Sequence, residues 1–440
     1  MTHRTDVRQA AGGFLPGTRR YRWVILGVAT FTQAASGFFV QGIGAMSAHL
    51  QRDLDLSTTQ LGLLLSAAQL VPLVGLLVAG ELLDRYNERW VVGLGACVVA
   101  AGLGAGSLAP GYASLLLVLL IVGAGYSTVQ PGGSKSVASW FDASQRGLAM
   151  GIRQAGLPLG GVLAAAVLPF LAAALGWRAT LVAGGLVALL GAVVFMCFYR
   201  RPPAQGPPRD GPQDSLQTRA LQGGAPRDSA SRDVEPGASR AARFAARLRM
   251  LREPPMVKIV LSGTCLVSVH SGIGVLTVLY LHETASMGAG PAALVFVASQ
   301  AAGVVGRICL AAWSDRSASG RYTSVLTCMV AVTAGMVALT TPVGRSPAAA
   351  CLLFVWLGFF GIGWYGPWVA HLAESAPPGR TGFALGLAMS VNQIAVILAP
   401  PVLGLLKDLT GSFAPAWGLL AAMTAAAVTV TVTSRGEPAR

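Results

Sequence analysis

Twelve times along this chain a run of mostly apolar residues reaches the length of about 20 that a helix needs to cross a bilayer. The first six runs are 22–48, 57–80, 90–108, 112–140, 146–174 and 178–199. The second six are 256–281, 291–313, 322–341, 347–373, 381–407 and 414–433. Nothing constrains the fold more. In lipid every backbone N–H and C=O must find a partner inside its own segment, which leaves helices or closed barrels. Runs of this length and continuity read as helices, so the expected fold class is an all-α membrane protein of twelve transmembrane helices.

Composition agrees: only 11% of residues are charged against 53% apolar, where soluble domains carry about 25% charged. The net charge of +14 is not a nucleic-acid footprint, because the basic residues stand outside the apolar runs and no Lys/Arg stripe interleaves with aromatics. Of the 32 Lys and Arg, 25 fall on one side of the predicted spans and four on the other. By the positive-inside rule this puts both termini and the 200–254 segment in the cytoplasm, the protein lying in a bacterial cytoplasmic membrane. The six cysteines occur singly, at neither metal nor redox spacing. No nucleotide-binding glycine loop, Gly-x-Ser-x-Gly elbow or histidine pair appears, so neither cofactor, metal nor enzymatic activity is expected.

The expected organisation is a cytoplasmic N-tail 1–21, a six-helix bundle 22–199, a linker 200–254, a second bundle 255–433 and a tail 434–440. The linker, rich in Pro, Arg, Gly, Asp, Ser and Gln, is expected to be disordered. Within it 239–252 places Arg240, Arg243 and Arg247 on one helical face and Phe244, Leu248 and Leu251 on another, a helix suited to an anionic leaflet.

The two sets of six repeat each other. Gln69, Gly75 and Asp84-Arg85 recur 231 residues later as Gln300, Gly306 and Asp315-Arg316. Pro131 recurs as Pro367, and Ala149-Met150-Gly151 as Ala384-Leu385-Gly386. Parallel six-helix repeats are the plan of a transporter whose site lies between its halves. The segment Gly80-Glu-Leu-Leu-Asp84-Arg85-Tyr-Asn87-Glu-Arg89 resembles the loop-2/3 motif G-x-x-x-D-R-x-G-R-R of the major facilitator superfamily, and Ala311-Ala-Trp-Ser-Asp315-Arg316 resembles a weaker second copy. The resemblance implies secondary transport by alternating access, with Gly80, Asp84, Arg85, Arg89, Asp315 and Arg316 as gating residues. Asp84 would meet the positive N-terminus of span 11 and latch the inside-closed state. Asn87 stands where the motif has glycine and tolerates the left-handed turn that a glycine there would supply.

Ionisable groups inside spans are functional candidates by default. Arg153 and Arg307 each lie six or seven residues from an inner helix end, roughly 10 Å deep. Spans 5 and 8 face each other in the superfamily, so the two guanidinium groups are expected to converge on one cavity. His270, Gln130, Gln300, Asn392 and Gln393 lie at similar depth, with Tyr126, Trp364 and Tyr365 adding aromatic faces; together with the two arginines these are the predicted substrate-binding residues. His270 and Glu374 are the candidates for proton coupling. None of the 18 Asp and Glu falls mid-span, so the cavity is expected to be net positive and the substrate a small organic anion.

Arg307 followed by Ala311 and Asp315 resembles span 8 of the monocarboxylate and oxalate/formate-type carriers, whose arginine binds the carboxylate. Those carriers' further charged residues are absent, since Gln41, Asn392 and Gly303 stand near their places. A multidrug or metabolite efflux transporter is the alternative, although Leu119 replaces the span-4 arginine of the drug antiporters; a transporter-fold sensor is a third reading. The expected partners are a small molecule, protons and the bilayer, with the protein acting as a monomer.

Overall fold

The structure is a computed structural model, and it describes residues 16–56, 58–202, 253–317 and 320–433. The predicted amphipathic helix 239–252, most of the linker, most of the N-tail and the tail 434–440 lie outside the described residues. Residues 1–200 and 258–440 form one compact unit, and 201–257 a second. Both six-helix halves belong to the first unit.

The described residues form helices and no strand. In the first half these are α1 (Pro16–Gly42), α2 (Ser47–Asp53), α3 (Thr58–Leu70), α4 (Pro72–Arg85), α5 (Glu88–Ser107), α6 (Tyr112–Tyr126), α7 (Val129–Trp140) and α8 (Ala143–Phe198). In the second they are α9 (Pro254–Glu283), α10 (Ala289–Arg316), α11 (Arg321–Thr340), α12 (Pro347–Gly363), α13 (Tyr365–Ser375), α14 (Thr381–Thr410) and α15 (Ala414–Thr433).

Among the described residues ten helices are long and apolar enough to cross a membrane, two fewer than the twelve runs in the sequence. The first difference is α8. Its 56 residues would extend about 84 Å as one rod, almost three bilayer cores. It is two helices meeting at Gly176, whose φ of 80° and ψ of 164° interrupt the helical backbone, in a region where glycine carries no Cβ penalty. The second is span 2, divided at Val71 into α3 and α4, each too short to cross alone.

Prolines set the breaks. A proline has no N–H for the carbonyl four residues earlier. Pro72 leaves Ala68 without its donor, and the chain breaks between α3 and α4. Pro131 does the same to Ser127 between α6 and α7, and its repeat partner Pro367 to Gly363 between α12 and α13. Pro72, Ser127 and Tyr365, each beside one of these interruptions, line a single central cavity.

Outward, Phe170 and Leu409 are about three-quarters exposed on the bare protein (77% and 75%), a surface that lipid solvates and water does not. Inward, glycines bring the halves together. A Cβ on Gly386 would stand 2.2 Å from the Leu76 carbonyl oxygen, and one on Gly151 2.3 Å from that of Arg307. These two seams, α4 against α14 and α8 against α10, are the same contact repeated. Tyr21 Oη donates to Phe198 O (2.5 Å) and Trp140 Nε1 to Arg200 O (2.9 Å). The start of α1, the end of α7 and the start of the linker therefore share one face, the linker face.

Candidate functional site

At the linker face each half grips the other through one carboxylate. Asp84, in the last turn of α4, accepts the backbone N–H groups of Gly382 and Phe383, both at 2.8 Å. These are orphan donors in the first turn of α14, at its positive end. Gly80 permits the approach: a Cβ there would lie 2.6 Å from Gly382 O. Asp315, at the end of α10, accepts the N–H groups of Gly147 (2.8 Å) and Leu148 (2.7 Å) near the start of α8. The repeat in sequence is thus a repeat in bonding, residue for residue.

The surrounding charges differ between the two grips. Lys135 Nζ lies 3.4 Å from Asp84 and 3.2 Å from Glu88, and also donates to the Leu83 carbonyl. Around Asp315, Arg321 donates Nη1 to the carboxylate (2.5 Å), Nε to Glu374 (2.6 Å) and Nη2 to the Ala143 carbonyl. Glu374 in turn accepts from Arg146 Nη1 at 3.3 Å. Sequence reasoning missed Arg321, Arg146 and Lys135 as parts of this network. A signal was available for Arg321, which opens α11 just past the Asp315-Arg316 copy of the motif; Lys135 and Arg146 lie within α7 and α8, away from either copy.

The other motif residues play lesser parts. Arg85 pairs with Glu81 and is more than half exposed. Arg316 is exposed, and Arg89 stacks over the Trp90 ring at 5.7 Å. Asn87 does not take the expected left-handed turn. With φ −69° and ψ 131° it is extended, and its side chain caps α5 by accepting the Arg89 N–H at 3.0 Å, so helix capping rather than a positive φ accounts for it.

Above these grips lies a cavity of about 190 Å³ between the halves. Gln69, Pro72, Tyr126, Ser127 and Gln130 line it from the first half; His270, Ser271, Arg307, Tyr365, Asn392 and Gln393 from the second. The helix breaks supply much of this wall. Gln130 Nε2 donates to Tyr365 Oη (2.6 Å), and Gln393 Nε2 to the Gln69 carbonyl (2.9 Å), so both bonds bridge the halves. Neither amide atom of Asn392 has a hydrogen-bond partner among the described residues.

Arg307 is 3% exposed. Its Nε donates to Ile362 O (3.2 Å), its Nη1 to Gln154 O (2.6 Å), and its guanidinium lies 5.7 Å from the Tyr365 ring centroid. Nη2 donates to no protein group among the described residues, and no carboxylate lines the cavity. A guanidinium so placed can present a donor pair to an anion.

Arg153 is placed differently from expectation. It is fully buried but does not line the cavity. Its donors go to Ser134 Oγ (2.9 Å), Gln33 Oε1 (2.8 Å), Gln130 O (2.7 Å) and Val129 O (3.1 Å), all in its own half. Gln300 and Trp364 also stand away from the cavity, Trp364 fully buried against Tyr365 and Trp368. Glu374 is held in the linker-face network. Depth along a helix was legible in the sequence; rotation about the helix axis was not, and it decides which deep residues meet the cavity.

The sequence matches the Major Facilitator Superfamily over residues 29–435. The chain belongs to that family. It is a transporter and not an enzyme. It is 26% identical over 407 residues to an uncharacterized MFS-type transporter of Mycobacterium tuberculosis (strain CDC 1551 / Oshkosh), covering 92% of this chain and 84% of that one. A hexuronate transporter of Bacillus subtilis (strain 168) is 30% identical over 156 residues, 36% of this chain and 37% of its own. Among solved structures, the MFS transporter FucP in the outward conformation superposes with a TM-score of 0.69 at 16% identity, covering 94% of this chain and 99% of FucP. That likeness is one of fold.

Proposed function

We propose that this transporter carries a small organic anion, a carboxylate, across the bacterial cytoplasmic membrane by alternating access, with Arg307 as the anion's principal contact. One observation carries the reading: the central cavity holds a guanidinium with an uncommitted Nη2 edge and no carboxylate. An unpaired buried charge is costly, and an anionic cargo supplies the missing partner. The amides of Gln130, Asn392 and Gln393 and the hydroxyls of Tyr126 and Tyr365 suit a substrate bearing hydroxyl groups, and a relative named for hexuronate is in keeping with that. His270 is the histidine among the described residues of the cavity wall and carries the proton if transport is proton-coupled. The basic surplus of the linker and tails supports a cytoplasmic location for both termini.

The test is competition for uptake. Proteoliposomes holding the purified protein are offered radiolabelled galacturonate with unlabelled carboxylates, neutral sugars and cationic drugs in turn. Carboxylates compete and the other two classes do not; competition by cations alone sinks the reading.

A further inference from the structure

Arg307 reaches across the seam between the halves to a carbonyl that the sequence itself sets free. Gln154 O would accept from the N–H of residue 158 in an unbroken helix, but residue 158 is proline, inside α8, and has none. The carbonyl accepts instead from Arg307 Nη1 at 2.6 Å, buried and from the opposite half.

The repeat provides an internal control. Leu76 is the counterpart of Arg307 at the 231-residue offset, and Met389 and Gln393 are the counterparts of Gln154 and Pro158 at the 235-residue offset. In that seam the backbones approach just as closely, 2.2 Å against 2.3 Å for the added Cβ, with leucine in place of the arginine and a Met389 carbonyl whose in-helix donor position holds Gln393, not proline. Close packing of a seam therefore does not require an arginine bonded across it. The bond belongs to the half-to-half contact that carries the cavity's charge.

We propose that the Gln154 carbonyl, freed by Pro158, is the resident ligand of Arg307 in the empty transporter, and that an incoming anion displaces it, so that substrate binding itself loosens the α8–α10 seam. Pro158 is then a positioning residue for transport, acting through Gln154 and Arg307. This rests on the reading of Arg307 as the anion's contact. Binding and seam closure become reciprocally linked: what weakens the seam bond strengthens anion binding by the same factor.

Pro158→Ala and Pro158→Ser each return an N–H to position 158, and two substitutions guard against one that fails to fold. Two readouts on the full-length protein decide. The first is galacturonate affinity by calorimetry, expected to rise roughly three- to tenfold, the scale of one hydrogen bond. The second needs no ligand. Spin labels at Ser144→Cys and Arg380→Cys, exposed positions on opposite halves at the linker face, report the closed fraction of the empty protein, which is expected to fall. In an Arg307→Met background the Pro158 substitutions are expected to leave that fraction unchanged. A closed fraction indifferent to Pro158, or shifted equally with and without Arg307, overturns the proposal. Loss of galacturonate binding in Arg307→Lys with no effect of Pro158 removes this inference alone; unaltered binding of all anions in Arg307→Lys removes the anion reading beneath it.

Discussion

Asp84 and Asp315 each satisfy two backbone donors at the start of a helix in the opposite half, and both geometries require an ionised or at least twice-accepting carboxyl. Asparagine keeps the size but loses the charge, and its amide nitrogen cannot accept. A contact of this kind is worth about 0.3–2 kcal/mol, enough to move a near-balanced pair of states severalfold. Asp84→Asn and Asp315→Asn should each insert normally, slow net uptake and raise thiol labelling at the linker face. Arg321 donates to Asp315 at 2.5 Å, whereas Lys135 stands 3.4 Å from Asp84, so Asp315→Asn removes the closer charge-assisted contact and is expected to be the more damaging of the two. In the cavity, His270→Gln should flatten the pH dependence of uptake while leaving binding at high pH intact. An unchanged pH profile assigns proton movement to the substrate or excludes it.

At the level of elements, the seams are glycine contacts and admit no side chain. Gly386→Val and Gly151→Val each place methyl groups where a carbonyl oxygen already lies 2.2 or 2.3 Å from the Cβ. Both should favour the state in which the linker face is open, detected as a longer distance between spin labels at Ser144→Cys and Arg380→Cys. The sequence made much of this legible. The 231-residue offset located both grips, and Asp84 meets the α14 N-terminus as the motif resemblance implied. Prolines 72, 131 and 367 stand at the breaks that build the cavity wall, whereas the sequence alone shows 131 and 367 as repeat partners within unbroken spans. What could not be read was azimuth. Arg153 and Arg307 lie at matching depths, yet one turns into Gln33 and Ser134 of its own half and the other onto the cavity. Spans that are apolar on nearly every side carry a weak facing signal, because lipid and protein interior are solvents of similar polarity. The turn at Gly176, by contrast, was legible: one predicted span ends at 174 and the next begins at 178, on either side of the residue that interrupts α8.

For the whole molecule, these pieces form one arrangement: two repeated halves, gripped twice at the linker face by carboxylates, enclosing a cavity with one guanidinium in its wall. The repeats differ where the proposed anion contact lies, since Leu76 and Arg307 occupy equivalent places. Under the proposed function, recognition of the cargo turns on that side chain, and on its shape as well as its charge. Lysine keeps the positive charge but not the planar fork that matches a carboxylate, and removing one partner of a buried charge-assisted contact costs on the order of 2–5 kcal/mol. The direct measurement is the affinity of purified, monodisperse wild-type and Arg307→Lys protein for galacturonate and for neutral galactose. The wild type is expected to prefer the acid, and Arg307→Lys to lose about tenfold or more of that affinity. Equal affinity of the two proteins for the acid, or a wild type that prefers the neutral sugar, would contradict the assignment of Arg307 as the anion's contact.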